Sequence, residues 1–120
     1  MARELNILIV EDDAIIALGL ELAALDSGVQ VLGPFSTTSA ALTAIDNDHP
    51  NGAVLDCDLW DGPVDPVARR LLASGIPVVF HSAQSIPAAL KAEFPGVILI
   101  DKPAPPLVVV TKLLELTEVA

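Results

Sequence analysis

Five short aliphatic runs follow one another along this chain, and a segment with helical character follows each of them. The runs cover residues 5–10, 29–35, 52–56, 76–81 and 97–101. Runs with so few charges are typical of parallel strands that are covered by helices on both faces. The alternation and the short connections predict a doubly wound parallel α/β sheet with right-handed crossovers.

Apolar spacing and residues that begin or end helices indicate the helical segments. Ile15, Leu18, Leu22 and Leu25 have helical spacing, and Gly28 is placed to end that first helix. The other helices are expected from a Ser36 or Thr37 cap to His49-Pro50, over 64–73, over 87–94 and over 105–118. The fourth spans only about two turns, so we expect it to be short or irregular. Residues 57–63 are expected to be a loop.

Length and composition limit the number of domains and the kinds of partner that this chain can have. A chain of 120 residues fits a single domain over 1–120, and aliphatic packing dominates because 52% of residues are hydrophobic and only 3% are aromatic. A net charge of −10 argues against binding to nucleic acid or to an anionic membrane surface. We therefore expect one α/β domain that contacts neither.

The sequence indicates neither export nor membrane insertion. The first four residues, Met1 to Glu4, lack the apolar stretch of a signal peptide, and no apolar run approaches the roughly 20 residues of a membrane span. The single cysteine, Cys57, cannot form an internal disulfide. The expected location is therefore the reducing cytoplasm.

Charged and polar residues follow four of the five aliphatic runs at their carboxyl ends. They are Glu11-Asp12-Asp13, Asp56, Ser82 and Lys102-Pro103. In sheets of this class the carboxyl ends of the strands share one edge, where ligands bind. Oxygen ligands without a His/Cys cluster favour Mg²⁺ or Mn²⁺ over zinc, and a cation would relieve the repulsion among the carboxylates. Lys102 and the Ser82 hydroxyl could then hold oxygens of a phosphoryl group on Asp56.

In order and in position, these residues resemble the receiver domains of two-component response regulators over essentially the whole chain. The resemblance implies a flavodoxin-like (βα)5 fold with strand order 2-1-3-4-5. It implies that Asp56 is the phosphoacceptor and that Asp12 binds Mg²⁺ directly. It also implies that Glu11 acts on the metal through water and that the backbone carbonyl of Asp58 completes the protein ligands.

The same resemblance assigns roles around the phosphoryl group. Ser82 would be the switch hydroxyl, and Lys102 would pair with the phosphoryl oxygens. The backbone N–H groups of Cys57 and Ala83 would face the same oxygens. The bond between Lys102 and Pro103 would be cis, an isomer that costs only ~0.5–1 kcal/mol before proline.

Asp58 and Gln84 lie two residues beyond the acceptor and the switch hydroxyl. In receivers, residues at these two positions tune the rate at which the phosphoryl group is lost. The side chains of Asp58 and Gln84 are therefore candidates for tuning dephosphorylation.

The chain departs from the usual receiver pattern in the region that reports phosphorylation. Leu99 stands three residues before the lysine, where many receivers carry a switch aromatic. The stretch 80–83, Phe-His-Ser-Ala, partly matches the Phe-Ala-Thr-Gly signature of a subgroup of stand-alone receivers. We therefore expect any switch to act by reordering of residues 83–94 rather than by rotation of an aromatic ring.

Several prominent residues have structural interpretations that need no ligand. Asp13 is expected to cap the first helix. His81 should face away from Ser82, because side chains alternate along a strand, so a structural contact is expected of it. Trp60 could pack under its loop or contact a partner, and the pattern does not choose between the two.

The last helix carries apolar residues over about half its circumference, more than a one-sided core stripe needs. They are Leu107, Val109, Val110, Leu113, Leu114 and Leu116. Either the helix is deeply seated, or its outer part belongs to a docking or homodimer face built from the fifth strand and its flanking helices.

Taken with the resemblance, these features predict a phosphoacceptor domain rather than an enzyme. A sensor histidine kinase or a histidine phosphotransfer protein would supply the phosphoryl group, and the domain would signal through protein contacts or act as a phosphate sink. The final helix ends close to residue 120, so a stand-alone receiver is expected. Two alternatives remain: a receiver-like binding module that is not phosphorylated, and a haloacid-dehalogenase-type phosphohydrolase suggested by Asp56-Cys57-Asp58.

Overall fold

The computed structural model of the chain describes residues 4–117. Its main sheet has five parallel strands whose order across the sheet, counting these five along the chain, is 2-1-3-4-5, which confirms the order expected for the five aliphatic runs. The strands are β1 Asn6–Val10, β2 Gln30–Phe35, β3 Gly52–Leu55, β4 Asp58–Leu59, β5 Gly62–Pro63, β6 Val78–Ser82 and β7 Ile98–Asp101. The helices are α1 Ala14–Asp26, α2 Thr38–Asn47, α3 Asp65–Ala73, α4 Ala88–Glu93 and α5 Pro106–Thr117.

Side-chain alternation along the central strands divides the core into two layers. In β1, Leu8 and Val10 join the layer under α2, α3 and α4, whereas Ile7 and Ile9 join the layer under α1 and α5. Both faces of the sheet are therefore covered by helices, which explains why β1 and β3 are almost free of polar residues.

Most of the predicted boundaries are close to those observed. Asp56 comes directly after β3, and β6 ends at Ser82, one residue later than predicted. Thr37, not Ser36, caps α2 by accepting a hydrogen bond from Ala40 N. The fourth helix has six residues and is as short as expected. The last helix was predicted to end at Glu118, which lies outside the described residues. Residues 1–3, which were considered for a signal peptide, also lie outside them.

The prediction of a plain loop over 57–63 is wrong. Strands β4 and β5 pair there as an antiparallel hairpin, with Asp58 opposite Pro63 and Leu59 opposite Gly62. Strands of two residues leave no alternation in the sequence, so periodicity could not reveal them. The turn-forming Asp61-Gly62 pair was the available signal.

The apolar stripe that predicted α1 lies on its outer face. Ile15 is 84% exposed, and Leu18, Leu22 and Leu25 are each more than half exposed. The face toward the sheet is built from Ala17, Leu20 and Ala24 instead. A small residue is also needed where α1 packs on α5, because a Cβ added at Gly19 would lie 3.0 Å from the Pro106 ring.

Helix α5 combines the two situations that the sequence left open. Val109, Val110 and Leu113 are fully buried against the sheet. Leu107 and Val108 are more than half exposed and line a groove of about 590 Å³ beside β7. The inner face is therefore deeply seated, while the outer face remains apolar at the edge of the sheet.

The Gly33–Pro34 and Lys102–Pro103 peptide bonds are both cis. Helix α1 ends where predicted, since Gly28 adopts a φ of 83°, which L side chains rarely accept. Within residues 4–117, no helix combines the length and apolarity that crossing a bilayer requires.

Candidate functional site

The carboxyl ends of β1 and β3 bring three acidic side chains together. Glu11 and Asp12 follow β1, and Asp56 follows β3. The backbone fixes these strand ends, because Glu11 N donates to Phe35 O and Asp56 N donates to Val10 O, both at 2.9 Å. One carboxylate oxygen from each of the three acidic residues lies within 4.8 Å of the others. This arrangement is the acidic cluster expected at the sheet edge.

Lys102 enters the cluster from the end of β7. Its Nζ lies 2.8 Å from Glu11 Oε1 and 3.0 Å from Asp56 Oδ2. The side chains of Glu11 and Asp56 are 1% and 11% exposed. A single ammonium group therefore bridges two carboxylates that are almost removed from water.

The environment drives the pKa values of the two bridged carboxylates apart. Burial raises the pKa of Glu11 to about 7, against the opposing effect of its hydrogen bond with Lys102. Burial also acts to raise the pKa of Asp56, but hydrogen bonds from Glu11 and Lys102 outweigh it and lower that pKa below its ordinary 3.8. Asp56 is therefore ionised at neutral pH, as a nucleophilic carboxylate must be.

Lys102 remains charged despite its partial burial. Burial acts to lower the pKa of its ammonium group, but hydrogen bonds with Glu11 and Asp56 raise it above 10.5 overall. A permanent positive charge is thus held next to Asp56. It would oppose the negative charge of any anionic group placed on that carboxylate.

Ser82 closes the site from β6. It is buried, its Oγ accepts a hydrogen bond from Gln84 N at 3.1 Å, and its carbonyl accepts one from Lys102 N. A small cleft of about 190 Å³ lies in front of these residues. It is lined by Asp12, Asp56, Asp58, Ser82, Ala83, Gln84 and Lys102. The structure therefore brings the two candidate tuning residues to the same cleft as the candidate acceptor.

Cys57 contributes its backbone rather than its thiol. Its N–H donates to Asp56 Oδ1 at 2.7 Å, which leaves Oδ2 to Lys102. The Cys57 side chain is buried, and burial raises the pKa of its thiol. A thiol that stays protonated is a poor nucleophile, so the side chain acts in packing within the core.

Asp13 and His81, which lie near the acidic cluster, have structural roles that require no ligand. Asp13 caps α1, since its Oδ1 accepts hydrogen bonds from Ile15 N and Ile16 N. His81 is 97% buried, on the face opposite Phe80, and neither of its ring nitrogens has a hydrogen-bond partner within residues 4–117. Burial, and next the nearby Lys102, lower its pKa, so the imidazole is neutral.

No sequence pattern indicates the contacts made by Trp60 and Asp61. The Trp60 indole is 76% exposed, and its Nε1 donates to the backbone carbonyl of Asp12 at 3.3 Å. The Asp61 carboxylate accepts hydrogen bonds from Thr38 N and Ser39 N at the start of α2. Both contacts join residues more than 20 positions apart, a separation that no local pattern encodes.

The donor set at this edge fits a hard divalent cation. Oxygen atoms of three carboxylates lie within 4.8 Å of one another, and the cleft beside them also reaches Asp58. Mg²⁺ is bound in proteins by one or two carboxylates, further oxygen ligands and water. Glu11, Asp12 and Asp56, with the Asp58 carbonyl, are the residues that would hold it.

Comparisons with known proteins point to one family. The fold is similar to SdrG from Sphingomonas melonis Fr1, with 30% identity, a TM-score of 0.80 and coverage of 99% of this chain and all of that one. It is also similar to a response regulator receiver protein from Sinorhizobium medicae WSM419, with 25% identity, a TM-score of 0.78 and coverage of 96% and 95%.

A CheY-like receiver domain protein from Methanospirillum hungatei JF-1 shares the fold at a TM-score of 0.84 and 22% identity, over 97% of this chain and 95% of its own. No protein-family model matches the chain, and no curated protein does so either. The likeness to solved receivers, together with a lysine-bridged carboxylate pair at the expected strand ends, identifies the family. The chain belongs to the receiver domains of two-component response regulators.

Proposed function

We propose that this receiver domain accepts a phosphoryl group on Asp56 from a phosphohistidine protein. In this step a carboxylate oxygen of Asp56 forms a P–O bond while the P–N bond of the donor breaks. The electron pair of the broken bond stays on the imidazole nitrogen, which takes up a proton. The observation that carries the proposal is the position of ionised Asp56, held at Oδ1 by Cys57 N–H and at Oδ2 by Lys102.

The surrounding residues suit the charge that this reaction places at the site. Lys102 would stabilise negative charge on the phosphoryl oxygens because its ammonium group already lies beside Asp56. The Ser82 hydroxyl, which borders the same cleft, would donate to another of those oxygens. The backbone N–H groups of Cys57 and Ala83 are the proposed further donors, and Asp58 and Gln84 would govern the access of water.

Magnesium, or manganese in its place, is the proposed cofactor. When bound, the ion would supply positive charge that neutralises the phosphoryl oxygens. Glu11, Asp12 and Asp56 offer the carboxylates that would hold it, Glu11 through water, and the Asp58 carbonyl would complete the protein ligands. A cation would relieve the repulsion within this acidic cluster, in which Lys102 contacts Glu11 and Asp56.

A direct experiment is to incubate the protein with Mg²⁺ and acetyl phosphate and to follow its intact mass. We expect the mass of one phosphoryl group to be added, and we expect EDTA or Asp56→Asn to prevent this. Addition to Asp56→Asn would show that another residue is the acceptor. No addition to the unmodified chain under any condition would favour the alternative of a receiver-like binding module.

The proposed phosphodonor is a sensor histidine kinase or a histidine phosphotransfer protein, and the outer face of α1 is its proposed docking surface. The four exposed residues of that face, Ile15, Leu18, Leu22 and Leu25, follow the a/d spacing by which helices pack against helices. Helix α1 begins directly after Asp12 and its cap Asp13. A helical partner on this face would therefore lie beside the acidic cluster.

A second proposed surface is the groove between β7 and α5. It is lined by Ile98, Leu99, Ile100, Leu107, Val108, Thr111, Lys112 and Glu115. Within residues 4–117, β7 is an edge strand of the main sheet, and a second copy of the chain is the proposed occupant of the groove. Gel filtration with light scattering, with and without beryllofluoride, should show a dimer that Val108→Glu abolishes. A monomer under both conditions would contradict self-association.

The proposed switch is a change in the segment from Ala83 to Phe94. Residues 83–85 are exposed, α4 has no side-chain cap at Pro87, and Leu90 is its one buried residue. A segment with so few buried contacts can reorder at low cost. Position 99 holds a leucine, so no aromatic ring is available there to report the change. The downstream partner would be a protein that reads this segment, or the domain would act as a phosphate sink.

We also propose that the chain turns over no external substrate. Its reactions would be its own Mg²⁺-dependent phosphorylation and a slow loss of the phosphoryl group to water. Steady release of phosphate from phosphate monoesters, faster than the loss from Asp56 itself, would contradict this proposal and favour the phosphohydrolase alternative.

A further inference from the structure

The β4–β5 hairpin, which follows Asp56, is held by a hydrogen bond at its base and by packing in the core. Val64 N donates to Cys57 O at 3.0 Å, which closes the base. Leu59 is buried and belongs to the core layer under α2 and α3. Trp60 and Asp61 form the exposed turn between the two short strands. The hairpin is therefore a fixed element, and its turn residues extend from a rigid base.

The turn is also tied to the start of α2. The Asp61 carboxylate accepts from Thr38 N at 2.7 Å and from Ser39 N at 3.0 Å. Thr38 Oγ1 donates in return to Pro63 O at 3.2 Å. An ionised carboxylate at a helix N-terminus is favourably placed, and the hydrogen bonds with Thr38 and Ser39 hold the pKa of Asp61 below its ordinary 3.8. The tie therefore persists at neutral pH.

From this anchored turn, Trp60 reaches the acidic cluster. Its indole Nε1 donates to the backbone carbonyl of Asp12 at 3.3 Å, across 48 positions of sequence, and its backbone N–H donates to Ser36 O. Asp58, at the other end of the hairpin, lines the cleft in front of Asp56. The hairpin thus contacts the turn that carries one candidate ligand and itself carries another.

We infer that Trp60 and Asp61 are positioning residues for the metal site. The hairpin sets the backbone of Asp12 through the indole N–H and sets the Asp58 carbonyl through its own anchoring to α2. This inference rests on the proposed function, because it concerns the same Mg²⁺ site.

The inference follows from what the site demands of its ligands. Glu11, Asp12 and Asp56 bring three carboxyl groups within 4.8 Å of one another, and carboxylates this close repel one another when no cation is bound. Mg²⁺ requires near-ideal octahedral geometry, whereas Ca²⁺ tolerates flexible coordination. Outer contacts that hold the ligands in place should therefore contribute more to Mg²⁺ affinity than to Ca²⁺ affinity.

Calorimetric titrations with Mg²⁺ and with Ca²⁺ test this inference in the unmodified protein and in Trp60→Phe. The variant keeps an aromatic ring and the net charge but loses the N–H donor. We expect its Mg²⁺ affinity to fall about threefold, the size expected for a long neutral hydrogen bond. The Ca²⁺ affinity should fall less, so the preference for Mg²⁺ over Ca²⁺ should narrow. A purely structural role would leave that preference unchanged.

Asp61→Asn provides a second variant, and Asp48→Asn is its charge-matched control. Asp48 is exposed at the end of α2, toward the opposite edge of the sheet from the site. We expect Asp61→Asn to weaken Mg²⁺ binding more than Asp48→Asn does, and to narrow the Mg²⁺ preference as Trp60→Phe does. If Asp61→Asn fails to fold, the titrations of Trp60→Phe alone test the positioning role.

Two failures are distinguishable. If the unmodified protein binds Mg²⁺ but Trp60→Phe binds Mg²⁺ and Ca²⁺ with unchanged affinities, the positioning role is overturned and the proposed function stands. If the unmodified protein binds no Mg²⁺, the proposed metal site fails and the positioning role fails with it.

Discussion

The ammonium group of Lys102 lies 3.0 Å from the carboxylate of Asp56, although the two residues are 46 positions apart in the chain. The same ammonium lies 2.8 Å from Glu11. Three strand ends therefore meet around one positive charge. Because the sheet brings these strand ends together, the fold itself determines the electrostatics of the candidate acceptor.

Replacing Lys102 should expose the repulsion that it now neutralises. Lys102→Met leaves the buried carboxylates of Glu11 and Asp56 without a counter-charge. We expect the free energy of unfolding of the metal-free protein near neutral pH to fall by about 2 kcal/mol, less than for a fully buried pair because Lys102 is partly exposed. Urea denaturation measures this free energy, and saturating Mg²⁺ should restore part of the lost stability.

The control for this variant is Lys112→Met. Lys112 pairs with Glu115 at 3.8 Å on the exposed side of α5, where an ion pair contributes little. Equal losses of stability in the two variants would mean that the Lys102 bridge has no special role.

Glu11 should give the metal-free protein a characteristic pH dependence. Burial raises its pKa from 4.5 to about 7 in the folded state, so the folded protein holds a proton that the unfolded chain releases. The stability contributed by this group is fully present below about pH 4.5 and is lost as the pH rises toward 7. Asp56 acts oppositely: its pKa is lowered, so its contribution is present above pH 3.8 and is lost at lower pH.

Urea denaturation of the unmodified protein and of Glu11→Gln, in EDTA at several pH values between about 4.5 and 7.5, isolates this effect. His81, whose lowered pKa makes stability rise with pH, contributes equally to both proteins. Its contribution therefore cancels in the difference between their free energies of unfolding. We expect the unmodified protein to lose stability relative to Glu11→Gln as the pH rises. A constant difference would contradict the shifted pKa of Glu11.

The buried His81 side chain should lower the free energy of unfolding, because its ring nitrogens make no hydrogen bonds within the described part of the chain. His81→Leu replaces the imidazole with an apolar side chain of similar volume. We expect the free energy of unfolding to rise by about 1 kcal/mol. His49→Leu, at an exposed position, is the control and should change stability by less than about 0.5 kcal/mol. A loss of stability in His81→Leu would show that the ring has a partner.

The outer face of α1 should matter for a protein phosphodonor and not for a small one. Leu22→Glu places a charge in the middle of the exposed apolar stripe. We expect phosphorylation by acetyl phosphate to continue at the same rate, while transfer from a phosphohistidine protein found by kinase profiling slows on the order of tenfold. Ala73→Glu, at an exposed position on α3 that belongs to neither proposed surface, is the charge-matched control. Equal slowing in both variants would argue against docking on α1.

The sheet and the acidic cluster were predictable because their signals are local. A short apolar run that leads to Asp56 or to Lys102 carries its own information about the strand and its end. The outward direction of the α1 stripe was not predictable in this way. Apart from Glu21 and the terminal Asp26, helix α1 consists of apolar residues and glycine, so spacing identifies the helix but not its buried face. Close packing against Pro106 selects the face with Gly19 and the alanines.

The contacts of the hairpin were hidden for a different reason. Trp60 and Asp61 meet Asp12 and Thr38 only after the sheet has formed, and no periodic pattern records such pairs. The same holds for His81, whose burial could be expected from its strand but whose lack of partners could not. Long-range hydrogen bonds are therefore the part of this site that the structure alone supplies.

The central claim is that Asp56 carries the phosphoryl group, and borohydride reduction tests it most directly. Borohydride converts an aspartyl phosphate to homoserine, which peptide mass spectrometry locates in the sequence. After treatment with Mg²⁺ and acetyl phosphate, we expect homoserine at position 56 and none there in a matched sample with EDTA. Homoserine at position 12 instead, or no reduction at position 56, would contradict the account.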